Sequence, residues 1–156
     1  MSKSRQSRLT RRQAARDPST PPEVLAELAA SGDVVEDFRY WVAANPSTPP
    51  ETLTELAAAD DAGVRSEVAG NESTPPDALA ELAYDYTGDV RYRVAGNSST
   101  PPEVLTELAD DEHEDVRYWV VANPSTPPET LTEFAASTDA EVRVRAAANP
   151  STPPET

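Results

Sequence analysis

Side chains able to do chemistry are few in this chain and badly spaced for it. The single His, His113, lies within Asp110-Asp111-Glu112-His113-Glu114-Asp115, a run rich in the carboxylates that bind hard cations. That run has neither EF-hand spacing nor a turn glycine, so a solvated acidic loop is the expectation. Ser and Asp are plentiful, but one His in a loop gives no basis for a Ser-His-Asp triad. The sequence contains no Cys, which excludes disulfides, thiolate metal sites, Cys-held iron–sulfur clusters and a Cys nucleophile. A glycine-rich phosphate cradle is also missing from the sequence. No catalytic, cofactor-binding or metal-ligating residue is assigned, and the expectation is a protein that is not an enzyme.

The elements that position the remaining polar residues are repeated. Ser-Thr-Pro-Pro-acid begins at Ser19, Ser47, Ser73, Ser99, Ser125 and Ser151, at spacings of 28, 26, 26, 26 and 26 residues, and all 16 prolines belong to or adjoin it. A period in that range marks a solenoid whose units each bury a small face against the next. Each unit reads as two short helices. In the first, Thr is predicted as N-cap, the two prolines as the first helical residues and the acid as the partner in a capping box. Leu25, Leu28 and Ala29 then fall at i, i+3 and i+4, as do Leu53, Leu56 and Ala57, giving one apolar stripe. The second half alternates like a strand at Asp89-Val90-Arg91-Tyr92-Arg93-Val94. Val64, Val68 and Ala69, and likewise Val116, Val120 and Val121, match a helical face instead, and helix is the reading adopted.

Stacking turns each repeat position into a ladder. Arg39, Arg65, Arg91, Arg117 and Arg143 form one, with Arg11 in the matching N-terminal place; Glu27, Glu55, Glu81, Glu107 and Glu133 form another. Inter-repeat ion pairing on a solvated face is their expected use. A third ladder holds Asn45, Asn71, Asn97, Asn123 and Asn149, with Asp17 matching; these can end helices and bond the following turn, or grip the backbone of an extended peptide. On a helical wheel from Val116, Tyr118 is predicted to be exposed and Trp119 to border the buried stripe. Their equivalents vary between units: Tyr40, Ser66, Tyr92 and Val144 for the first, Trp41, Glu67, Arg93 and Arg145 for the second. Variable surface positions are where a solenoid writes specificity. The candidate partner-binding residues are therefore Tyr40, Trp41, Tyr92, Arg93, Tyr118 and Trp119.

The unit Asn-Pro-Ser-Thr-Pro-Pro-Glu-x-Leu-x-Glu-Leu-Ala, followed by Val-Arg-x-x-Val-Ala, resembles the leucine-rich repeat variant (LRV) family, in register from about Arg11 to the end. The resemblance implies an all-α fold: a right-handed α-solenoid of about five 26-residue repeats, each an α-helix and a 3₁₀-helix, akin to HEAT and armadillo arrays. Some family members carry an iron–sulfur cluster on an N-terminal cysteine motif, which this Cys-free chain cannot hold, so no cofactor is implied. No shared catalytic activity follows either.

Charge divides the chain. Formal net charge is −15, yet Lys3, Arg5, Arg8, Arg11, Arg12 and Arg16 precede any acid. We expect a basic, flexible arm over residues 1–10 and one solenoid over 11–156: a half-unit at 11–18, units from about 19, 47, 73, 99 and 125, and a partial unit at 151–156. With no apolar signal core and no membrane-length apolar run in the sequence, cytoplasmic placement is expected, although the Arg- and Ser-rich start also has transit-peptide composition. The expected function is a non-enzymatic scaffold for a protein or peptide, a basic one on electrostatic grounds. The alternative is a subunit that assembles head to tail through its uncapped ends, making homo-oligomers. Nucleic acid or an anionic membrane would meet only the basic arm.

Overall fold

A computed structural model describes residues 3–31 and 38–153, with residues 3–9 described by their backbone. Every regular element among the described residues is an α-helix, in the order α1 (Lys3–Arg16), α2 (Pro22–Ala30), α3 (Arg39–Ala43), α4 (Pro50–Leu56), α5 (Ala62–Gly70), α6 (Pro76–Leu82), α7 (Gly88–Gly96), α8 (Pro102–Leu108), α9 (Glu114–Ala122), α10 (Pro128–Ala135) and α11 (Ala140–Ala148). The strand alternative for the second half is thereby removed. So is the α/3₁₀ alternation, because both members of a unit are α. The chain divides into two compact units, Met1–Ala78 and Leu79–Thr156. Within each unit a repeat buries its apolar face against its neighbours.

The backbone is helical from Lys3 through Arg16. The side chains of Lys3, Arg5 and Arg8, and residues 154–156 of the partial unit, lie outside the described residues.

Pro-Pro sets where the first helices begin, one residue later than the sequence reading. Pro21, Pro49, Pro101 and Pro127 are extended, with φ from −60° to −57° and ψ from 141° to 145°, and the second proline is the first helical residue. A residue before proline is sterically pushed out of the α region, so the first proline of the pair cannot be helical. Thr, itself before a proline, is displaced further, and no side-chain cap or capping box forms at these four starts. Its hydroxyl turns back instead. Thr20, Thr48, Thr74, Thr100 and Thr126 donate to the carbonyls of Ala14, Val42, Val68, Val94 and Val120 at 2.5–2.7 Å, tying up open carbonyls at the end of the preceding helix.

The core is a row of aliphatics from both helices of each unit. Leu25, Leu53, Leu79, Leu105 and Leu131 are fully buried, as are Val42, Val64, Val68, Val90, Val94, Val116 and Val120. Each is worth about 1.5–3 kcal/mol on burial. The two-helix units need this, since α4 to α11 hold seven to nine residues apiece and isolated helices below about 12–15 residues are marginal in water.

Asparagine locks one repeat to the next. Asn45 Nδ2 donates to the carbonyls of Ala15 (3.0 Å) and Asp17 (2.9 Å), and Asn71 Nδ2 to those of Ala43 (2.8 Å) and Asn45 (3.0 Å). In the second unit Asn123 reaches Ala95 (2.7 Å) and Asn97 (2.9 Å), and Asn149 reaches Val121 (2.8 Å) and Asn123 (2.9 Å). Each Oδ1 accepts the backbone N–H of the Ser two residues on at 2.9 Å. These residues are buried, and Asn71, Asn123 and Asn149 end their helices in extended backbone. Their amides grip the neighbouring repeat, which overturns the idea that they grip a peptide.

The arginine ladder makes its expected inter-repeat pairing at Arg91, which binds Asp111 of the next repeat, and it also binds backbone within its own repeat. Arg65 Nη1 donates to the carbonyls of Ala59 (2.7 Å) and Asp60 (2.9 Å), Arg117 Nη1 to Asp111 (2.6 Å) and Glu112 (3.1 Å), and Arg143 Nη1 to Ser137 (2.8 Å) and Thr138 (3.0 Å). Each guanidinium thus staples the loop of its own unit to its own second helix. The Glu ladder does face water.

Replacing Asn123 with Ala would orphan two carbonyls and one N–H, at about 1–3 kcal/mol for each group that water cannot reach. Urea unfolding followed by circular dichroism should show a clear loss for Asn123→Ala. Glu133→Ala, on the exposed ladder, should stay within about 0.5 kcal/mol of the parent.

Candidate functional site: the second-helix face

The variable positions lie on the second helices. In the first unit, Tyr40 and Trp41 of α3 meet edge to face, 5.0 Å between ring centroids and 86° between planes. Arg12 and Arg16 of α1 set their guanidinium carbons 5.6 Å and 4.5 Å from the ring centre of Trp41, cation–π contacts to a half-buried indole. The Tyr40 hydroxyl donates to Glu67 Oε1 of α5 at 3.1 Å.

In the second unit, Tyr118 of α9 is half-buried beneath Arg145 of α11, whose guanidinium carbon stands 3.5 Å from the ring centre. Arg145 also pairs with Glu141 at 3.5 Å. Trp119 is 44% exposed and lies over Gly96 of α7, where a Cβ would come within 3.2 Å of its Cε3. Tyr92 and Arg93 of α7 are half-buried. A rule emerges from Arg12 with Trp41, Tyr40 with Glu67 and Tyr118 with Arg145. In each of these three pairs the first variable position of one repeat packs on the second variable position of the next.

The expected order of exposure at α9 is therefore reversed: Trp119 is the open residue and Tyr118 the covered one. Val121 is fully buried along with Val116 and Val120, so the buried arc is centred near 70° on the wheel and not near 20°. Tyr118 and Trp119 then flank it at about 130° on either side. Neighbours break the tie, since Arg145 covers Tyr118 while Gly96 has no side chain to rise around Trp119.

Two aromatics escaped the sequence reading. Tyr84 and Tyr86, in the loop between α6 and α7, are 74% and 81% exposed. The Tyr84 hydroxyl donates to the Glu107 carboxylate of α8, and that bond holds the phenol proton, raising its pKa above the ordinary tyrosine value. Their signal was present as a departure from the repeat: the matching positions hold Ala58, Asp110 and Ala136, and Asp60, Glu112 and Thr138.

The acidic run forms the entry to α9. Asp111 accepts from Arg91 Nε (2.6 Å) and Nη2 (3.0 Å) and from the His113 backbone N–H (2.8 Å), while Arg91 Nη1 holds the Asp85 carbonyl at 2.8 Å. Burial works against the Asp111 charge, but Arg91 and the His113 N–H outweigh it and hold the carboxyl below the usual aspartate range. The same hydrogen bond raises the Arg91 pKa against the opposing effect of burial. Glu112, His113, Glu114 and Arg117 line an open recess of about 500 Å³. Among the described residues, no three His, Asp or Glu side chains converge as a metal site would require.

The match to known proteins rests on this repeat. A family model, the Leucine Rich Repeat Variant domain, covers residues 10–72 and 89–146. The chain belongs to the leucine-rich repeat variant family. Among solved structures, the LRV chain is similar to one described as a leucine-rich repeat variant with a novel repetitive structural motif, at 30% identity and a TM-score of 0.62, over 85% of this chain and 52% of that one. It thus spans about half the length of that relative. It is also similar in fold to a designed armadillo repeat protein in complex with the peptide (KR)4, at 19% identity and a TM-score of 0.57, over 94% and 92% of the two chains. An engineered protein matches at 24% identity and a TM-score of 0.54, over 88% and 85%. No curated protein matches the LRV chain. No described helix is long and apolar enough to cross a membrane.

A pH test follows from the Arg91–Asp111 pair. Because the folded carboxyl pKa is depressed, its stabilisation is present above the unfolded value of about 3.9 and is lost as pH falls through the folded value. Asp111→Asn should cost about 1.5–3 kcal/mol at pH 7. The gap between parent and variant urea midpoints should close as pH is lowered toward 2.

Proposed function

We propose that this protein is a non-enzymatic repeat scaffold that binds a basic protein or peptide segment through the second-helix face. The observation that carries the reading is the division of labour among repeat positions. Leu, Val, Thr, Asn and Arg recur from unit to unit and are consumed in packing, capping and bridging. The two positions that change, occupied by Tyr92, Arg93, Tyr118 and Trp119 in the second unit and by Tyr40 and Trp41 in the first, are exposed or half-buried and rich in aromatics. Tyr, Trp and Arg are the side chains that most often anchor interfaces.

Partner charge follows from the field. A net charge of −15 and an exposed Glu in each first helix attract basic segments and repel acidic ones. The armadillo-type design of the same fold was solved with a Lys/Arg peptide, which is consistent with this class of ligand.

Titration of the purified chain with fluorescent basic, neutral and acidic peptides tests the reading. Basic peptides should bind best and weaken as salt rises, and Trp119→Ala should lower their affinity about tenfold. Equal binding of all three peptide classes, or of parent and variant, would overturn it.

A further inference from the structure

The most exposed aromatics of the second unit are ones the repeat does not need. Tyr84 and Tyr86 stand where other units place Ala or Asp and Asp, Glu or Thr, so the fold forms at these positions without a ring. Burial does not account for them either, since most of each side chain faces solvent. Two large amphipathic rings left in water two residues apart are the composition of a contact surface.

The loop that carries them is held in place. Tyr84 N–H donates to the Glu81 carbonyl (3.2 Å) and Asp85 N–H to the Leu82 carbonyl (3.1 Å), while the Asp85 carboxylate accepts the Thr87 N–H (2.8 Å). The hydroxyl of Tyr84 is anchored on Glu107, which fixes the ring with its face open. Little freedom of the Tyr84 side chain therefore remains to be lost when a ligand arrives. The electronegative face of a phenol ring beside a carboxylate attracts a cation twice over, through the ring quadrupole and through charge.

We propose that Tyr84 and Tyr86, with Glu107, form an anionic aromatic platform that receives Lys or Arg side chains of a basic partner segment. It rests on the basic-partner reading above but uses a different surface, the α6–α7 loop, so the two can fail separately. The chemistry excludes an acidic segment, which would meet Glu107 and the net negative field.

Fluorescence anisotropy with a labelled octapeptide of alternating Lys and Arg, titrated with the full chain, decides the matter. The double variant Tyr84→Ala/Tyr86→Ala should bind about five- to thirtyfold more weakly than the parent. Tyr84→Phe/Tyr86→Phe, which keeps both rings, should stay within about threefold of the parent. Circular dichroism should find both doubles as helical as the parent. If the alanine double binds like the parent while Trp119→Ala loses affinity, the platform is overturned and the second-helix reading stands. Failure of the parent to bind the octapeptide at all would overturn both.

Discussion

A buried asparagine amide that reaches back to two carbonyls of the preceding repeat is the constraint on which the rest of the stacking depends. Its two N–H groups need acceptors at about 3 Å, and its oxygen needs the Ser N–H two residues on, or a buried polar group is left unpaired. That requirement fixes how far each unit is displaced from the last. Asn45 makes the same bridge across a 28-residue spacing that Asn71 makes across 26, so loop length varies while register is kept. The Asp17 side chain, in the matching place, has no N–H to donate and keeps only the turn half of the motif, accepting from the Ser19 N–H and hydroxyl.

Around this bridge the other recurring polar residues act within or between units to close open backbone. Thr satisfies a carbonyl at the end of one helix, Arg satisfies two in the loop, and Pro-Pro starts the next helix without needing an amide partner. With seven- to nine-residue helices, every unit exposes many terminal backbone groups relative to its length, and this is why so much of each repeat is polar yet invariant from unit to unit. The positions released from that duty are few. They sit on the second helices and in the α6–α7 loop, and they carry the aromatic variety from which binding is argued.

Much of this was legible in the order of residues. The period, the two-helix unit, the Leu and Val stripes and the family resemblance all follow from local pattern, because a short amphipathic helix has one way to bury its apolar face. The six candidate residues were recognisable as variable positions for the same reason. Tyr84 and Tyr86 were legible too, as departures from the repeat, but they lie in a loop, where no periodicity marks a face.

What the sequence by itself determined is where the first helix of each repeat begins and which aliphatics are buried, since steric exclusion before proline and 3.6-residue periodicity act along the chain. Only tertiary structure decided what the polar ladders hold. Thr turned back to the helix behind it, Asn to the repeat before it and Arg to its own loop, with Arg91 reaching Asp111 of the next repeat as well, because hydrogen-bond partners are chosen by distance in space and not by separation in sequence. The exposure of Trp119 over Tyr118 belongs to the same class: the wheel leaves them equivalent, and a guanidinium on one neighbouring helix and a glycine on another make them different.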